Sequence, residues 1–122
     1  MELTINKKMY QFKFGVKFIR TLDEEMPIVT EQGNFGLSLS AKVIPELQSG
    51  NTNTLARVLS FANYNQTPRA SLNDLDDYID DCENIEELFD MTLKAIETSN
   101  SGKLAMTKFN QAIAKAEKSK KK

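Results

Sequence analysis

Histidine is absent from this chain of 122 residues. That absence removes the commonest general base near neutral pH, the Ser-His and Cys-His nucleophile pairs, and the usual zinc sites. Catalysis by carboxylates or lysine alone stays open, but a binding or assembly role is the better starting point. Cysteine occurs once, as Cys82, so no internal disulfide can form and a reducing cytoplasm is the natural setting. No apolar run approaches the roughly 20 residues that span a bilayer. The N-terminus lacks a basic segment followed by an apolar block, so no signal peptide is expected. The glycosylation sequon at Asn65-Gln66-Thr67 therefore carries no weight. What remains is an ordinary soluble composition, 40% hydrophobic and 27% charged with net charge −1, suited to one domain with a modest core.

The most informative stretch is the first 25 residues. Glu2 to Asn6 and Met9 to Phe14 alternate polar and apolar residues, which puts Leu3, Ile5, Met9 or Tyr10, Phe12 and Phe14 on faces a sheet can bury. Asn6-Lys7-Lys8 between them suits a tight turn, since Asn tolerates left-handed geometry. At Gly15 the period changes: Phe14, Phe18 and Leu22, with Ile19 and Met26, define one face of an amphipathic helix. Pro27 to Gly36 reads as a loop. Leu37, Ala41, Ile44 and Leu47 recur at helical spacing, but Pro45 predicts a kink or split at Ile44-Pro45, and Gly50 a stop. Asn51 to Asn53 offer caps for a short helix carrying Leu55, Val58, Leu59 and Ala62.

A loop at Asn65 to Ala70 comes next. Ser71-Leu-Asn-Asp74 and Asn84-Ile-Glu-Glu87 then have the form of two helix starts, each with a capping side chain and acids in the first turn. The apolar side of the first is Leu72, Leu75, Ile79 and Cys82; that of the second is Ile85, Leu88, Phe89, Leu93 and Ile96. Ser99 to Gly102 reads as a linker, and Lys103 to Lys122 as a helix with Ala105, Phe109, Ala112, Ile113 and Ala116 on one face. The chain is thus mostly α, in the α+β class: an N-terminal β-hairpin followed by a bundle of about five helices.

Charge is segregated. Residues 71–93 hold nine acids and no base, whereas residues 103–122 hold seven lysines against Glu117 alone. Such asymmetry can steer association and set head-to-tail register between subunits. The acids do not form a calcium loop, because Tyr78 interrupts their alternation and no glycine is near; they suit the solvated side of a helix. Cys82 has no histidine or nearby lysine to lower its pKa and reads as a small half-buried residue. Gly33-Asn-Phe-Gly36 lacks the lysine and preceding strand of a phosphate loop. Neither a cofactor nor a metal is expected. The lysines suit a helix C-terminus; nucleic acid would want interleaved aromatics, and only Phe109 is present. Membrane-surface binding would want a larger apolar face than alanines supply.

The pattern Glu2-Leu-Thr-Ile-Asn…Tyr10-Gln-Phe-Lys-Phe-Gly-Val-Lys-Phe-Ile-Arg20 resembles the tail assembly chaperones of long-tailed (siphovirus-type) phages and prophages of Gram-positive bacteria. Gly36-Leu37, Ser71-Leu-Asn-Asp-Leu-Asp-Asp-Tyr-Ile79 and Ile85-Glu-Glu-Leu-Phe89 fit as well, so the likeness covers about residues 2–98. It implies a small, non-enzymatic helical protein of the host cytoplasm, absent from the finished virion. Several copies would coat the tape measure protein, the long helical ruler of tail length, and yield it to tail-tube protein. Related chaperones are often made in two lengths by frameshifting, and Lys120-Lys121-Lys122 is codable by a slippery adenine run. The division expected is 1–98 as chaperone domain with its hairpin, 99–102 as linker and 103–122 as basic C-terminal helix. Leu104, Phe109 and Ile113 are the expected partner contacts. The alternative is a phage or plasmid nucleic-acid-binding regulator that uses the basic C-terminal helix.

Overall fold

Asn6 and Lys7 both have positive φ, 52° and 67°, and together form a two-residue turn that closes the N-terminal hairpin. This geometry matches the natural twist of paired strands. Strand β1 (Glu2–Ile5) pairs antiparallel with β2 (Lys8–Gln11), with Leu3 opposite Tyr10 and Ile5 opposite Lys8. That register decides between Met9 and Tyr10: Tyr10 shares the inner face with Leu3, Ile5 and Phe12, whereas Met9 points outward and is 55% exposed. The computed structural model describes residues 1–28 and 37–120, with the backbone alone for 117–120. The loop expected over 27–36 lies, from residue 29, outside the described residues, as do the last two lysines.

The helices follow in chain order: α1 (Val16–Glu25), α2 (Ile44–Gln48), α3 (Thr52–Asn63), α4 (Leu72–Asp80), α5 (Ile85–Thr98) and α6 (Asn100–Lys120). They exceed the expected number by one when the short α2 is counted separately. Alpha-helix α2 is set off by a π-helical turn, Leu39–Val43, in which the Ile44 N–H reaches back five residues to the Leu39 carbonyl. Pro45 is the physical reason, since it has no N–H to offer the carbonyl one turn back and the ladder must widen to pass it. Downstream, Gly50 at φ 82° ends α2 while the Asn51 N–H bonds the Glu46 carbonyl at 3.0 Å and the Gly50 N–H bonds that of Leu47 at 3.2 Å. Two orphan carbonyls are thereby satisfied in one left-handed stop. Asn51, Ser71 and Asn84 each accept a hydrogen bond from the N–H three residues on, at 3.0, 3.0 and 3.1 Å, as their positions before apolar runs predict.

Helix α3 occupies the centre, touching α1, α2 and α4, while α2 packs on α5 and α6 packs on α5 and the π turn. The core runs from the hairpin through Phe18, Leu22, Leu39, Ile44, Leu55, Leu59, Leu75 and Ile96. Phe14 and Phe18 meet edge to face at 5.0 Å, fixing the hairpin exit on α1. Asn63 is fully buried and joins three segments: its Nδ2 donates to the carbonyls of Gln11 (2.9 Å) and Pro68 (3.1 Å), and its Oδ1 accepts from the Ala70 N–H (2.6 Å). Ser38 ties the segment before the π turn to the end of α1, with its Oγ donating to the Met26 carbonyl at 2.8 Å.

Two expectations change. Leu72, placed on the apolar side of α4, is 47% exposed. It is the first residue of the helix, and side chains lean toward the N-terminus, so it overhangs the packed face of Leu75 and Ile79. Residues 99–102 are a tight helix junction in place of a linker. Ser99 alone is non-helical, and its Oγ donates to the Ile96 carbonyl at 2.8 Å while accepting from the Gly102 N–H at 3.0 Å. Gly102 is buried there, and glycine is required because a Cβ would overlap the Ile96 carbonyl.

Candidate functional site

Three segments far apart in sequence meet in one groove of about 540 Å³. Lys13 to Phe18 bring the hairpin exit and the start of α1; Phe61, Ala62, Asn65 and Gln66 bring the end of α3; Ser99 to Ser101 bring the start of α6. The Lys13 N–H bonds the Ala62 carbonyl at 2.9 Å, which locks the first wall to the second. Phe14 and Phe18 supply a buried floor, Phe61 a half-buried wall and Val16, 52% exposed, an apolar lip. Lys13 and Lys17 stand exposed on the rim. A groove with an aromatic floor, a polar wall of Asn65, Gln66, Ser99, Asn100 and Ser101, and a cationic rim can take an amphipathic segment, apolar side down and polar side outward. Nothing local in the sequence marks it, since each contributor alone reads as a strand end, a helix end or a loop.

A second concavity of about 540 Å³ lies between the hairpin turn and α4, lined by Ile5, Asn6, Asp74, Asp77, Tyr78, Asp81, Cys82 and Glu83. Burial, with the neighbouring Cys82 thiol adding to it, raises the Tyr78 hydroxyl above its ordinary value of 10.0. Cys82 is a free, half-buried thiol. Of the nine acids expected on a solvated face, all but the half-buried Asp74 are exposed. Among the described residues no group of histidine, cysteine and carboxylate side chains is placed to hold a metal ion.

The three expected contact residues do not share one face. Leu104 is 66% exposed and follows Asn100 and Ser101 at helical spacing, next to the groove but not among the residues that line it. Phe109 is half-buried against the core and continues the packed seam of Gly102, Ala105 and Met106. Ile113, 42% exposed, prolongs that seam past the body, where residues 110–116 are all exposed. Nine residues separate Leu104 from Ile113, which places them on opposite sides of an α-helix. No helix among the described residues is long and apolar enough to cross a membrane.

No curated protein and no solved structure gives a significant match. A family model does: the one described as phage tail assembly chaperone protein, TAC, matches residues 2–111, which takes in the hairpin, all the packed helices and both concavities. The resemblance read over residues 2–98 lies inside that span and α6 extends it. With nearly the whole described fold matched, the chain belongs to the phage tail assembly chaperone (TAC) family.

Proposed function

We propose that this chain keeps a tape measure protein soluble before the tail tube exists, by covering its apolar seams with several copies and without making or breaking a bond. Membership of the family supports the chaperone role, and the observation that carries the client chemistry is the lysine-rimmed groove with its aromatic floor. A long amphipathic ruler made ahead of its tube exposes apolar stripes that aggregate. A groove of this size covers only a short stretch of such a stripe, so each contact is weak and release is easy. Many copies along one client supply the affinity that one copy lacks. Tail-tube subunits then displace the copies as they polymerise, so the chaperone acts in the host cytoplasm and leaves no trace in the virion. Phe109, the single aromatic of α6, is turned against the body, and the helix presents no exposed ring for base stacking. That favours a protein client over nucleic acid.

The test is co-expression with the tape measure protein encoded by the same phage or prophage. The client is expected in the supernatant only with this chain present, and Val16→Asp together with Leu104→Asp should return most of it to the pellet. Both side chains are exposed, so the variant should melt with the parent. A client that pellets equally with and without the chain would refute the proposal.

A further inference from the structure

The groove formed by the hairpin exit, α3 and α6 carries charge of one sign. Among the described residues Lys13 and Lys17 are the only ionisable side chains that line it, and the first turn of α1 holds no acid. Both lysines are exposed, and neither ammonium forms an ion pair with a described residue. The Lys13 stem runs over Gly15 toward α1, so that a Cβ at that glycine would meet its Cε at 3.6 Å. One turn before Phe61 on α3, Arg57 lays its guanidinium 5.7 Å from the centre of that ring, a third cation beside the groove wall.

We infer that this groove selects an acidic amphipathic peptide segment, one with a large apolar side chain and carboxylates on the turns that flank it. The inference rests on the chaperone reading and deepens it by naming which stretches of a client are held. The apolar side chain lies over Phe14, Phe18 and Val16, and the carboxylates reach Lys13 and Lys17. The amides of Asn65 and Gln66 and the hydroxyls of Ser99 and Ser101 can each donate and accept, so they serve the polar groups and backbone of a peptide. Single-stranded nucleic acid shares the negative charge but wants open ring faces on which bases stack. Phe14 and Phe18 are buried and meet edge to face, a floor without such a platform. A basic stretch of client meets like charge at the rim and is rejected.

The experiment titrates isotope-labelled full-length chain with synthetic peptides and follows the backbone amides by nuclear magnetic resonance, which reads weak binding. Three peptides share leucines at helical spacing and differ only in carrying glutamate, glutamine or lysine between them. An oligouridylate strand is the remaining probe. The glutamate peptide is expected to move the amides of Val16, Lys17, Gln66 and Ser101. It should bind on the order of tenfold tighter than the glutamine peptide, an advantage that shrinks as salt is added. Lys13→Glu/Lys17→Glu should reverse the order in favour of the lysine peptide, and Lys13→Gln/Lys17→Gln should erase it. Both variants should keep the parent's circular dichroism, since the side chains are exposed. Shifts centred elsewhere, equal affinity for the three peptides, an unreversed order in the charge-swapped variant, or oligouridylate that displaces the glutamate peptide would each overturn the inference. So would the absence of shifts with every probe. Since no tape measure protein is present, such a failure leaves the chaperone reading to its own co-expression test.

Discussion

At Asn63 a single side-chain amide meets the hairpin at Gln11 and the loop before α4 at both Pro68 and Ala70. Its removal strands the Ala70 N–H and two carbonyls in or near the core, and each stranded group costs about 1–3 kcal/mol. Asn63→Ala is therefore expected to lower the urea midpoint markedly, while Asn63→Asp also fails because it has no N–H to donate. Within the helical pattern of α3 this residue looks like any polar position, so its role was not legible from sequence. Tyr78 gives a second expectation at this scale. Its raised pKa means that the folded state holds the phenol proton more tightly than the unfolded state. The associated stability is full below the ordinary value of 10.0 and is lost as pH rises through the higher folded value. Denaturation followed across that range should show a steeper loss for the parent than for Tyr78→Phe; equal slopes would contradict it.

Element ends were the most legible part of the chain, because capping chemistry is local. Asn51, Ser71 and Asn84 cap where their spacing to the next apolar run places them, and the split at Pro45 follows from one missing N–H. The α5–α6 junction was misread for the opposite reason. Ser-Asn-Ser-Gly has the composition of a linker, and only the approach of the Ile96 carbonyl shows why position 102 has no side chain. Gly102→Ala should destabilise the fold or shift α6, against about 1 kcal/mol for Ser99→Ala, whose main loss is a cap. A thermal melt of both variants separates a steric role from a flexible one. If Gly102→Ala melts above the parent, the junction is not as close as described.

For the whole molecule, Phe109 and Ile113 divide a stripe that the sequence presents as one. Phe109→Asp places a charge against Ala105 and Met106 in the packed seam and should lower stability, although the sequence alone places Phe109 among the partner contacts. Ile113→Asp should leave the melting temperature within the scatter of surface changes. The hairpin, the core stripes and the charge segregation could be read along the chain, because each has its own period or run. The groove could not, since its walls come from residues 13–18, 61–66 and 99–101 and exist only after α1, α3 and α6 pack.

Light scattering on dilution of the denatured tape measure protein into buffer, with increasing purified chain, bears most directly on the central claim. Scattering is expected to fall to baseline only when the chain exceeds the client by many copies, and to return when tail-tube protein is added. Scattering that is unchanged at every ratio would contradict a chaperone that works by covering apolar seams.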